Sequence, residues 1–228
     1  MLLDEKESKI TIAGPTGNLE SALSRGDTDA PLSALNATVI ICHPHPQHGG
    51  TMDNKVVTTL MRTYRDLGVH VLRFNFRGVG GSEGMFDNAV GELEDLLAAI
   101  AWTKNSLPES PLLLGGFSFG SSIAARASYS VEGLLHLTLV APPVERYEYD
   151  RAGVFTAPVC VVQGDKDERV IAQGVYNWVA QLQSPAELIR YPDASHFFHG
   201  YLSALKSDLT NTLVRQISST SRSSHLQR

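Results

Sequence analysis

Thiols are scarce in this chain, which holds two cysteines among 228 residues. Cys42 and Cys160 each sit inside an apolar, strand-like segment, Thr38 to Cys42 and Val159 to Val162, and read as buried free thiols rather than a disulfide. Basic charge is also in deficit, with 19 Lys and Arg against 24 Asp and Glu. The cations are scattered, so no positive field exists for a polyanion, and nucleic acid is excluded as a partner. No apolar run approaches the roughly 18 residues of a membrane span, so no membrane partner is expected. The start, Met-Leu-Leu-Asp-Glu-Lys-Glu, carries acid where a signal peptide needs base followed by an apolar stretch. A cytoplasmic location is therefore expected, for a monomer or homodimer.

What is present is the composition of an ordinary globular protein, 43% hydrophobic and 19% charged. The length suits one α/β domain, expected over residues 1–217, with the polar, Ser-rich stretch Ser218 to Arg228 as a disordered tail. Lys9 to Ala13 and Leu19 to Leu23 flank Gly14-Pro15-Thr16-Gly17, which has the chemistry of a hairpin turn at one edge of a sheet. From Ala37 onward apolar runs alternate with stretches of helical period. Strands are expected at Ala37 to Cys42, His70 to Phe76, Pro111 to Phe117, His136 to Val140, Pro158 to Val162 and Glu187 to Tyr191. Helices are expected at Val56 to Leu67, Phe86 to Lys104, Ser121 to Ser128, Val170 to Leu182 and Phe198 to Ile217. This alternation predicts an α/β fold, a doubly wound and mostly parallel sheet with an antiparallel start. In the second helix, Val90, Leu93, Leu97 and Ile100 recur at steps of three or four, which turns them to the sheet and Glu92, Glu94 and Asp95 to water.

Gly116-Phe117-Ser118-Phe119-Gly120 is a G-x-S-x-G pentapeptide, a weak signal alone in a chain with 19 glycines. Its setting strengthens it, because the buried strand Leu112-Leu113-Leu114 precedes it and a helix follows. A serine on a tight strand-to-helix turn has strained backbone, and side chains at Gly116 and Gly120 would collide with the neighbouring strand and helix. The same turn leaves N–H groups free at the helix start, so the Phe119 amide can face an oxyanion. Ser118 is thus a candidate nucleophile, with Ser121 and Ser122 read as ordinary helix residues.

A serine hydroxyl needs a histidine base and an orienting carboxylate, in the chain order Ser, acid, His for this arrangement. Gly164-Asp165-Lys166-Asp167-Glu168 follows a strand, at the sheet edge where ligands gather, and Asp165 and Asp167 both qualify. The other acid would cap the following helix. In Asp193-Ala194-Ser195-His196-Phe197-Phe198-His199, His196 comes first after the last strand and is favoured over His199. Phe117, Phe119, Phe197 and Phe198 are candidates to line a modest apolar pocket. The stretch Ala141 to Ala157 is too short for a large lid, which favours small or short-acyl esters.

With these three residues in order, the chain resembles the α/β-hydrolase superfamily over nearly its whole length. More narrowly, His43-Pro44-His45-Pro46-Gln47-His48-Gly49-Gly50, Phe74-Asn75-Phe76-Arg77-Gly78-Val79-Gly80-Gly81-Ser82 and the serine pentapeptide are similar to small, capless bacterial predicted hydrolases related to dienelactone hydrolases. Dienelactone hydrolases proper carry Cys where this chain has Ser118. The resemblance implies a serine hydrolase acting on a small-molecule ester without cofactor, Asp167 as the acid, and the His45 N–H as second oxyanion donor. The prolines would rigidify that loop without donating themselves. A metal site at His43, His45 and His48 or at His196 and His199 is the weaker reading, because hard ligands are missing nearby. Arg77 to Ser82 is read as a structural loop rather than a dinucleotide fingerprint, since no helix follows directly.

Overall fold

The runs Thr38–Cys42, His70–Phe74, Leu112–Phe117, His136–Val140 and Val159–Gly164 are buried along their whole length. Strands covered on both faces need no polar alternation, which is why they read as continuous apolar runs. A computed structural model describes residues 3–149 and 153–225. It places these strands as β3 to β7, with β1 (Glu7–Gly14) and β2 (Gly17–Ser24) before them and β8 (Ala186–Tyr191) after. Among the described residues the strands form one eight-stranded sheet in the order β1-β2-β4-β3-β5-β6-β7-β8. The hairpin β1–β2 joins β4 antiparallel, and every other pairing is parallel.

Helices α1 (Lys55–Asp66) and α5 (Leu202–His225) cover one face, with Val57, Leu60, Tyr64, Leu205 and Leu209 in its core. Helices α2 (Gly91–Ser106), α3 (Phe119–Ser128) and α4 (Ala172–Gln181) cover the other. Adjacent strands β3 and β5 therefore send their following helices, α1 and α3, to opposite faces. The loops leaving their carboxyl ends diverge, which opens a crevice at this edge of the sheet.

The largest departures from the sequence expectation are at the start of α2 and the end of α5, while α5 also begins at Leu202 rather than Phe198 and β4 ends at Phe74 rather than Phe76. Helix α2 starts at Gly91 rather than Phe86, because Asn88 and Ala89 adopt left-handed backbone (φ 51° and 67°). The turn's N–H groups at Asp87 and Ala89 need an acceptor, and the Glu92 carboxylate takes both at 2.8 Å. Glu92 and Asp95 are consequently fully buried, not turned to water, while Val90 is 59% exposed. Helix α5 continues to His225 instead of ending at Ile217, since no proline or glycine stops it. Of the expected tail, residues 226–228 lie outside the described residues.

Candidate active site

Ser118 sits between β5 and α3 with φ 52° and ψ -123°, a backbone region that L residues avoid at a cost of about 1–3 kcal/mol. Its N–H donates to the Val140 carbonyl at the end of β6, 2.8 Å away. A Cβ on Gly116 would overlap the Gly120 carbonyl, and one on Gly120 would overlap the carbonyls of Cys42 and His43. These are all main-chain atoms that cannot swing aside, so α3 approaches β3 and β5 this closely only with glycine at both positions. The hydroxyls of Ser121 and Ser122 donate to the carbonyls of Ser118 and Phe119, as helix residues do.

The Ser118 hydroxyl meets His196 Nε2 at 3.1 Å, and His196 Nδ1 meets Asp167 Oδ2 at 2.8 Å. Asp167 lies in the turn after β7 and His196 in the loop after β8, so three strand ends converge. Asp167 Oδ1 accepts the N–H groups of Arg169 and Val170, each at 2.8 Å. Burial alone pushes this carboxyl up, but the hydrogen bond and charge of His196 and the two backbone donors outweigh it, and the pKa falls below the ordinary carboxylate value. An ionised carboxylate only accepts, so His196 donates from Nδ1, and in the neutral ring this leaves the Nε2 lone pair toward the Ser118 O–H. Asp165 turns away to the Tyr176 hydroxyl and the Arg190 guanidinium. His199 is exposed, with its ring tilted against Phe197 at a centroid distance of 6.1 Å.

Two partners of this arrangement escaped the sequence reading. Gln163, buried in β7, donates from Nε2 to Asp167 Oδ2 at 3.2 Å, and Glu168 accepts the His196 backbone N–H at 3.1 Å. A lone amide within the apolar run Val159 to Val162 and Gly164 was the available signal for Gln163. Glu168 had none, because its partner is 28 residues away.

Between β3 and α1 the histidine-rich loop is built by hydrogen bonds. His43 is fully buried, with Nδ1 bonded to the Pro44 carbonyl at 2.6 Å and Nε2 accepting the Phe76 N–H at 3.0 Å. Both ring nitrogens are used, and burial pushes the ring's pKa down to about 4. The His45 side chain accepts the Gln47 N–H, and its ring stacks on His48 at 4.3 Å. Among the described residues, no group of three His, Cys, Asp or Glu could hold a metal ion. The N–H groups of His45 and Phe119 meet no acceptor among the described residues. Arg77 to Ser82 forms a tight loop. The Arg77 guanidinium, 4% exposed, clamps the Asp95 carboxylate at 2.8 Å, and the Gly81 N–H donates to Glu20 at 2.7 Å.

A cavity of about 330 Å³ opens at Ser118, bordered by His45, Phe119, Tyr147, His196 and Phe197. Phe117 does not line it. In β5, Phe117 alternates with Gly116 onto the α1/α5 face, where it is fully buried 5.0 Å from the His196 ring and supports it from behind. Phe198 is likewise buried in that core, against Tyr191. Among the described residues between β6 and β7 there is no helix, so nothing lid-like covers the opening. Cys42 and Cys160 are free and buried. No helix among the described residues is long and apolar enough to cross a membrane.

Residues 36–223 match the family described as "Alpha/beta hydrolase domain". The chain belongs to this family. An uncharacterized protein of Rickettsia prowazekii is 36% identical to this α/β hydrolase over 201 residues, 83% of this chain and 82% of that one. The solved structure of an alpha-beta serine hydrolase homologue from Coxiella burnetii is 42% identical, covering 93% of this chain and 99% of that chain with a TM-score of 0.85. A Xanthomonas campestris protein, described as a serine hydrolase without lid, is 39% identical, with coverage of 94% and 97% and a TM-score of 0.85. The α/β-hydrolase fold is that of both solved neighbours, and the lidless form implied by the three sequence motifs is that described for the Xanthomonas campestris protein.

Proposed function

We propose that this α/β hydrolase is a serine carboxylesterase that cleaves small or short-acyl esters through Ser118, His196 and Asp167. The observation that carries the proposal is the relay of 3.1 Å and 2.8 Å from hydroxyl to imidazole to buried carboxylate, opening on the cavity. His196 Nε2 takes the Ser118 proton as Oγ attacks the ester carbonyl, and Asp167 stabilises the imidazolium that forms. The uncommitted N–H groups of Phe119 and His45 receive the oxyanion, each donor worth about 100- to 1000-fold in rate. The alcohol leaves with the proton from Nε2, and water attacks the acyl-enzyme by the same route in reverse. The open cavity suits short acyl groups, with Phe119 and Phe197 as its apolar wall.

The test is labelling with a fluorophosphonate, alongside turnover of p-nitrophenyl acetate and butyrate, acyl-CoA thioesters and aminoacyl amides. Wild type should label and hydrolyse the esters fastest, and Ser118→Ala should do neither. Labelling of Ser118→Ala, or wild-type turnover confined to thioesters or amides, overturns the esterase assignment.

A further inference from the structure

The chain is acidic overall, with a net charge of -5, yet the lining of its cavity is not. Two guanidinium groups, Arg146 from the β6–β7 connection and Arg169 from the acid-bearing turn, border the same cavity as Ser118. Neither has a carboxylate partner among the described residues. Arg146 spends one N–H on the Arg169 carbonyl at 3.1 Å, which ties the two segments together and leaves its other donors open. The Arg169 guanidinium lies over the Phe197 ring, 5.3 Å from its centroid, and is thereby held on the cavity wall. Among the described residues Glu168 is the one carboxylate in the lining, and it accepts the His196 backbone N–H. Glu145 lies against Gly174 of α4 instead of turning to Arg146.

We infer that the natural substrate carries a carboxylate besides its scissile ester, as the half-ester of a short dicarboxylic acid does, and that Arg146 and Arg169 bind it. This rests on the esterase reading above. Among the described lining residues, two cations against one carboxylate leave one positive charge in excess, which matches a monoanion better than a phosphate dianion. A cavity of about 330 Å³ is at the small end for ligand sites, which suits an acyl part of a few carbons. The planar fork of arginine also fits a carboxylate in two-point contact. Both guanidinium groups reach solvent, so the expected discrimination is modest, about fivefold to tenfold.

The experiment compares kcat/KM for p-nitrophenyl hemiglutarate and for neutral p-nitrophenyl pentanoate in wild type and in Arg146→Gln/Arg169→Gln. Both substitutions leave intact the backbone N–H that Arg169 donates to Asp167. Wild type should prefer the anionic ester about fivefold to tenfold at low salt, with the ratio shrinking as NaCl is added and collapsing toward one in the double variant. Free butyrate, a monoanion, should inhibit more strongly than inorganic phosphate. A wild-type ratio at or below one, a ratio retained by the double variant, or stronger inhibition by phosphate overturns the assignment. Turnover of the neutral ester with no anionic preference sinks this inference alone, whereas turnover of neither ester sinks the esterase reading itself.

Discussion

Replacing Asp167 by asparagine tests the relay most directly, because the structure dictates how the amide must sit. Asp167 Oδ1 is held by two backbone N–H donors at 2.8 Å, so the amide oxygen has to take that position. The amide nitrogen then occupies the Oδ2 position, 2.8 Å from His196 Nδ1, and donates to it. His196 must shift its proton to Nε2, and Nε2 can no longer accept from Ser118. Gln163 keeps its Nε2 donation to the Gly164 carbonyl at 2.9 Å and gives up only the longer one, 3.2 Å, to the Oδ2 position. The fold therefore survives while the base is lost. The expected fall in kcat is about 1000- to 10,000-fold, or roughly 4–5.5 kcal/mol, from the wrong tautomer. Asp165→Asn, which touches only Tyr176 and Arg190, should stay within about twofold of wild type. The assay is p-nitrophenyl butyrate hydrolysis, with circular dichroism to confirm folding. An Asp167→Asn variant that folds and keeps more than a tenth of wild-type kcat refutes the tautomer argument.

The buried pair of Arg77 and Asp95 predicts that Asp95→Asn loses about 3–5 kcal/mol and lowers Tm by about 10 °C, read by calorimetry. The exposed Asp87→Asn should cost little, and equal effects from the two would contradict the burial. Acid stability follows from His43 and His136, each pushed down to about 4 by burial. Their folded values lie below the unfolded value near 6.5, so stability is complete above pH 6.5 and falls as the pH drops toward 4, on the order of 3 kcal/mol for each ring. Asp167, also depressed in the folded state, adds its loss only at lower pH, as its own carboxyl protonates. Thermal melts between pH 7 and 4.5 should show Tm falling steadily, and a flat profile would exclude neutral buried imidazoles.

The parallel core was legible because its strands are covered on both faces and read as unbroken apolar runs. The strand-to-helix turn at Ser118 was legible because G-x-S-x-G needs a strand before it and a helix after it, and both signals were present. Asp165 and Asp167 could not be separated by their own context, since they are two residues apart in one turn and only long-range partners distinguish them. The α2 face was misassigned for a related reason. Its orientation is set by the Arg77 guanidinium and by the N–H groups of residues 87–89, and periodicity within a helix does not register partners outside it. Phe117 was different, because strand alternation from the glycine it follows already turns it away from the cavity.

The order Ser118, Asp167, His196 along the chain also has a consequence for biosynthesis. On the proposed roles, a growing polypeptide that has emerged as far as β6 carries Ser118 but neither the base nor the acid that would activate it. The base arrives only with the loop after β8. Helix α5, which follows that loop, packs with α1 over Val57, Leu60 and Tyr64. On those proposed roles, vectorial synthesis leaves Ser118 without its base until the loop after β8 has emerged, a delay that would silence the hydroxyl in time rather than by an inhibitor.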